Sequence, residues 1–117
     1  MTTEEYERLV PILEKNGYRK WNMQLNNEDY CYCKGFAHFE DSDGEKQCGY
    51  QVILCIYDNR KYEKVPDNSK FGIMPTVMIS GNHRIDLVLG AYQFDLIDIE
   101  KKAQSFHEWA KSNFKDL

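Results

Sequence analysis

Two apolar and aromatic runs on either side of a short polar segment dominate the pattern of this chain. The polar segment, Asp41-Ser42-Asp43-Gly44, contains residue types that favour a tight turn. The run after it, from Cys48 to Tyr57, is rich in β-branched and aromatic residues, which are typical of strands. We therefore predict a long β-hairpin from Glu28 to Asp58, with the sheet built around its second arm.

Helical spacing of apolar residues marks both ends of the chain. Near the start, Thr2 and Glu5 form a capping-box pair, and Gly17 is placed to end the helix. Pro11 lies inside this segment and is expected to kink or restart the helix. Near the end, Asp95 is the predicted N-cap of a second helix. The apolar positions are Tyr6, Leu9, Val10 and Leu13 in the first helix and Leu96, Ile99, Ala103, Phe106 and Ala110 in the second.

Three further segments have the period of a strand. Residues 18–25 alternate in polarity, and residues 61–65 are a candidate short edge strand within the connection 59–70. A second hairpin is predicted with Gly81-Asn82-His83 as its loop. Its expected cross-strand pairs are Ile79 with Ile85, Val77 with Leu87, and Pro75 with Leu89.

The order helix, strands joined by hairpins, helix predicts an α+β fold. We expect a mainly antiparallel sheet of about five strands, with the N- and C-terminal helices packed on one face. Neither an internal repeat nor a linker divides the 117 residues, so we expect a single domain from 1 to 117.

Alternation within the hairpins separates a core face from a mixed face. With Glu40 opposite Glu45, the core face of the long hairpin carries Cys31, Cys33, Gly35, Ala37 and Phe39 with Cys48, Tyr50, Val52, Leu54 and Ile56. The mixed face is aromatic, and Tyr, Met and Arg are enriched at protein interfaces. We predict that an open mixed face binds a partner through Tyr30, Tyr32, Phe36, His38, Ile53 and Tyr57, with Met78, Arg84 and Asp86 from the second hairpin.

Composition and charge narrow the classes of function. The net charge of −4 and the pI of about 5.3 argue against a nucleic-acid backbone binder, which needs clustered Lys and Arg. The polar, acidic start lacks the features of a secretory signal, and no apolar run is long enough to span a membrane. We expect a cytoplasmic protein without a membrane partner.

Candidate chemistry is sparse. In the predicted register the four cysteines are too dispersed for a zinc site or an easy disulfide, so we interpret them as reduced, buried residues. The acidic loop lacks the ligand spacing of a calcium-binding loop. His38, His83 and His107 belong to no recognisable catalytic or metal-binding motif. We therefore assign no catalytic residue, no metal and no cofactor.

These observations favour a small, non-enzymatic binding protein whose aromatic sheet face holds a protein partner or a second copy of the chain. Two alternatives stay open. The first is an acidic inhibitor or immunity-type protein that uses the acidic tip from Glu40 to Glu45 against a basic toxin or nuclease. The second is an enzyme or small-ligand binder with a pocket near His38, Arg84 and Asp86.

Overall fold

The computed structural model describes residues 1–22, 24–80, 83–87 and 94–114. Its elements are α1 (Thr3–Lys15), β1 (Arg19–Trp21), β2 (Tyr30–Glu40), β3 (Lys46–Asp58), β4 (Phe71–Ser80), β5 (His83–Asp86) and α2 (Leu96–Asn113), with short 3-10 turns at Asn59–Lys61 and Asp67–Ser69. The strands form one antiparallel sheet in the order β1-β2-β3-β4-β5. The α+β class and the five-stranded sheet are confirmed. Among the described helices, none is long and apolar enough to cross a membrane.

Local sequence signals fix both ends of α1. The Thr2 hydroxyl accepts from the Glu5 amide, and the Glu5 carboxylate accepts from the Thr2 amide, which completes the predicted capping box. Beyond the helix, Gly17 has a φ of 87°, and the Gly17 and Tyr18 amides donate to the carbonyls of Glu14 and Leu13. This is a Schellman ending, which satisfies carbonyls that the helix leaves without partners. The helix is continuous through Pro11.

The long hairpin forms as predicted, but its register changes along its length. At the loop, the Asp41 amide donates to the Glu45 carbonyl, and at the open end the Asp29 amide donates to the Ile56 carbonyl. Asp41 comes twelve positions after Asp29, whereas Ile56 comes eleven positions after Glu45. One extra residue therefore lies in β2, and Ala37, with a φ of 55°, has the left-handed backbone that such a bulge uses.

The second hairpin has the predicted faces but not the predicted pairs. Val77 faces Ile85 rather than Leu87, with a further irregularity between Met78 and Ser80. Because the offset is two residues, the side-chain faces are preserved. Residues 81 and 82 of the predicted loop lie outside the described residues, whereas His83 belongs to β5. The edge strand expected at 61–65 is wrong, because this segment is a 3-10 turn followed by turns.

The chain divides into two compact units. The first unit comprises Met1–Lys34 and Leu54–Met74, and the second comprises Gly35–Ile53 and Pro75–Leu117. The core of the first unit contains Tyr6, Leu9, Leu13, Tyr18, Cys31, Tyr32, Leu54, Cys55, Ile56 and Phe71. The core of the second unit contains Tyr50, Val52, Ile53, Val77, Ile99, Ala103 and Ala110.

The start of α2, in the second unit, agrees with the sequence prediction, and its buried face agrees with it in large part. Asp95 is its N-cap, and the carboxylate accepts from the amides of Ile97 and Asp98. Three of the five predicted stripe positions are buried, and Leu96 and Phe106 are half-buried.

Candidate functional site

Three of the nine predicted partner-binding residues, Tyr30, Tyr32 and Tyr57, lie in the first unit, where they make internal contacts. Tyr32 is 5% exposed, and the half-buried Tyr57 donates its hydroxyl to the Asn26 carbonyl. The hydroxyls of Tyr30 and Tyr6 are hydrogen-bonded to each other, and the Tyr30 ring meets Tyr32 edge-on at 6.1 Å. Tyr32 is therefore a core residue of the first unit.

A stack of rings extends from these tyrosines. Tyr6 stacks on Phe71 with their ring centroids 4.0 Å apart, and we call Tyr6, Tyr30, Tyr32 and Phe71 the tyrosine cluster. The Lys20 ammonium lies 4.1 Å from the Tyr30 ring centroid, and the Arg60 guanidinium lies 4.8 Å from that of Phe71. Burial raises the pKa of both Tyr6 and Tyr32. The cluster is thus a neutral, packed structure with cations at its margin.

A buried carboxylate organises the turn that leads into these tyrosines. Glu28 is fully buried, and its two oxygens accept from the amides of Leu25 and Asn26, both at 2.6 Å. Burial opposes ionisation, but these amides, the amide of Glu28 and the Cys55 thiol together lower the pKa of Glu28. Asn27 adopts a positive φ of 61° within this turn. Glu28 therefore acts as an ionised structural residue.

The remaining predicted residues lie in the second unit. Phe36 stacks on Tyr50 with ring centroids 5.2 Å apart, whereas Ile53 is fully buried. His38 is exposed, and its ring lies beside Gly35. Ile53 is thus a core residue like Tyr32, and neither side chain is exposed for a partner to contact.

The structure brings His38 and Cys48 to the same glycine, which the sequence did not indicate. A Cβ at Gly35 would lie 3.2 Å from the Cys48 sulfur and 3.3 Å from the His38 Cε1. Gln51 donates to the same sulfur at 3.7 Å. A side chain at this position would therefore require the Cys48 and His38 side chains to shift by a few tenths of an ångström.

Cysteine burial matches the prediction in part. Cys31 and Cys55 are buried, whereas Cys33 and Cys48 are half-buried. None of the four, all of which lie in the described part of the chain, forms a disulfide. Burial, with smaller contributions from Cys33 and Glu28, raises the pKa of the Cys31 thiol to about 11. Within the described ranges, no group of three or more His, Cys, Asp or Glu side chains is arranged to hold a metal ion.

Met78, Arg84 and Asp86 come together on the β4–β5 hairpin. Met78 faces Arg84, and Thr76 faces Asp86. The buried Thr76 hydroxyl donates to the Asp86 carboxylate at 2.8 Å. Arg84 and Asp86 are exposed, and Met78 is half-buried. These three residues remain candidates for partner binding.

An aromatic group that the prediction missed adjoins this hairpin. The Phe114 ring lies 4.5 Å from His83 and 5.3 Å from Trp109, and Trp109 lies 6.1 Å from Phe106. We call these four residues the tryptophan cluster. Trp109 is 52% exposed, and His83 is the first residue of β5. The sequence signal was a large aromatic residue beside, rather than within, the buried stripe of α2.

Comparison with known proteins found no matching family model, curated protein or solved structure. The chemistry and exposure of the residues described above are therefore the basis for a functional assignment.

Proposed function

We propose that the chain is a small, non-enzymatic interaction protein that binds a protein partner through the second unit. The surface consists of the tryptophan cluster and the exposed residues of β5, namely Arg84, Ile85 and Asp86. The single observation that carries this proposal is the exposure of Trp109 within a group of packed rings.

The residue types on this surface support protein recognition. Trp and Arg are the residues most enriched among those that dominate binding energies at interfaces, because they bury a large area and retain a polar group. The Trp109 ring is held at its edge by Phe114, so binding a partner would cost little side-chain entropy. A cytoplasmic location fits this role and stays a prediction.

Affinity capture with matched variants tests the proposal. Tagged wild type, Trp109→Ala and Ile97→Ala are used to capture binding proteins from the native cell, and the captured protein is then purified and titrated. Ile97 is the matched control because it lies on the same helix and is 68% exposed. We expect Trp109→Ala to weaken binding by at least about 30-fold, which corresponds to about 2 kcal/mol, and Ile97→Ala to bind like wild type. Equal binding by all three proteins would contradict the proposal.

A further inference from the structure

The sulfur of Cys48 lies in a small polar group on the long hairpin. Cys48 and Gln51 lie on β3, His38 lies on β2, and all three belong to the second unit. The sulfur and the His38 Cε1 both lie within 3.3 Å of the position that a Cβ on Gly35 would occupy. Because glycine has no side chain, nothing from Gly35 separates the imidazole from the sulfur. We call His38, Cys48 and Gln51 the thiol site.

The contacts of Cys48 are those of a nucleophilic cysteine. The Gln51 side-chain amide donates to the Cys48 sulfur at 3.7 Å, and an N–H donor stabilises a charged acceptor more than a neutral one. Both nitrogens of an imidazole are bonded to Cε1, so His38 presents the nitrogen-bearing part of its ring to Gly35. A neighbouring histidine activates a cysteine by accepting its proton. Cys48 is half-buried and His38 is exposed, so part of the thiol site is in contact with solvent.

Two other cysteines use their thiols in the opposite way, as hydrogen-bond donors. The Cys31 thiol donates to the Trp21 carbonyl at 3.4 Å, and the Cys33 thiol donates to the Arg19 carbonyl at 3.8 Å. A thiol held in this way keeps its proton and is a poor nucleophile, because the thiolate is the species that attacks. Cys33 is half-buried like Cys48, so it is a matched comparison within the same molecule.

We propose that the thiol site forms a mixed disulfide with low-molecular-weight disulfides, with Cys48 as the nucleophile. His38 accepts the thiol proton, and the Cys48 sulfur attacks one sulfur of the small disulfide. A bond forms between these two sulfurs as the disulfide bond breaks, and the displaced thiolate leaves with the bonding electrons and takes up the proton. Cys48 is thereby oxidised, and the small disulfide is reduced to one thiol. The inference goes beyond the proposed function, whose surface contains none of these three residues.

Modification of the wild-type chain by glutathione disulfide is the first test. The reduced protein is incubated with the reagent, the reaction is stopped with acid, and peptide mass spectrometry follows the modification of each cysteine in time. We expect Cys48 to react at least about 10-fold faster than Cys33, because a sulfur with an adjacent proton acceptor and an N–H donor is the better nucleophile. A Cys33 that reacts as fast as Cys48, or a Cys48 that stays unmodified, overturns the inference.

Two substitutions remove the groups that activate the sulfur. His38→Ala removes the proton acceptor and should slow the modification of Cys48 at least about 5-fold. Gln51→Leu removes the N–H donor at similar size and should slow it about 3-fold. Gln47→Leu is the matched control, because Gln47 lies on the same strand and donates to Asp41 instead. Its rate of modification at Cys48 should equal that of wild type.

The direction of these effects separates activation of the sulfur from a purely structural role. Looser packing around Cys48 would expose the sulfur and speed its modification, whereas the inference predicts slower modification. Unfolding of a variant would also raise the rate at Cys33, which is measured in the same sample. His38→Gln, which keeps a polar side chain but is not a base, serves as a second variant at this position. Unchanged or faster modification of Cys48 in a folded His38 variant overturns the inference.

Discussion

The tyrosine cluster of the first unit and the tryptophan cluster of the second contain similar numbers of rings but use them differently. In the first, the Tyr6 and Tyr30 hydroxyls bond to each other, and Phe71 stacks on Tyr6 at 4.0 Å. In the second, the ring centroid of Trp109 lies 5.3 Å from that of Phe114 and 6.1 Å from that of Phe106, and Trp109 is 52% exposed. A tyrosine that finds an internal partner for its hydroxyl can be buried at little cost. Ring count alone therefore does not identify a binding surface.

The strongest test of this contrast is truncation of one ring from each cluster. Tyr32→Ala should lower the free energy of unfolding by about 3 kcal/mol, because it removes a buried ring and leaves a cavity. Trp109→Ala should lower it by less than about 1 kcal/mol, because half of that side chain already contacts solvent. Urea denaturation measures both values. Similar losses for the two variants would show that the clusters do not differ in the way described.

The contrast also explains which parts of the sequence prediction succeeded. Helix ends depend on neighbouring residues, so the capping box at Thr2 and the N-cap at Asp95 were predictable from the sequence. Which faces of a strand are covered depends on distant packing, and Tyr32 and Ile53 are buried although they were assigned to an open face. The positive φ of Ala37 could not be predicted from the sequence, because the residue that usually occupies this position of a bulge is glycine.

The candidate surface was predicted only in part for the same reason. Arg84 and Asp86 were assigned to the mixed face, and both are exposed on the second hairpin. The predicted register was wrong by two residues, and a shift of two residues does not change the face on which a side chain lies. Trp109 was missed because helical periodicity identifies the buried residues of a helix but does not indicate which of its exposed residues bind a partner. The contact of Phe114 with His83 joins residues far apart in the chain, which no local pattern reveals.

A second test sharpens the account of the tyrosine cluster through the turn before β2. Glu28→Gln should lower the free energy of unfolding by about 2 kcal/mol at neutral pH, because the amides of Leu25 and Asn26 lose an ionised acceptor. The exposed Glu63→Gln is the matched control and should change stability little. Chemical denaturation measures the differences.

The pH dependence of the Glu28 effect has a definite sign. The folded-state pKa of Glu28 is lowered, so its stabilisation is complete above the ordinary value of 4.5 and is lost as the pH falls through the folded-state pKa. The difference between wild type and Glu28→Gln should therefore shrink on acidification. A difference that stays constant from neutral to acidic pH would show that Glu28 is not ionised in the folded protein.

The smallest expected effect concerns His107. Its side chain is half-buried, so its exposure is intermediate between that of Tyr32 and that of Trp109. Its ring is 4.7 Å from that of the buried Tyr50, and burial, aided by Lys111 and opposed by Glu108, lowers the pKa of His107. NMR titration should give a pKa below 6.5, and Lys111→Ala should raise it slightly. Because the folded-state pKa is depressed, the associated stabilisation is full above pH 6.5 and is lost as the pH falls through the folded-state value. A pKa at or above 6.5 would contradict this account, because it would show that packing against Tyr50 does not remove enough water from the His107 ring to disfavour its charged form.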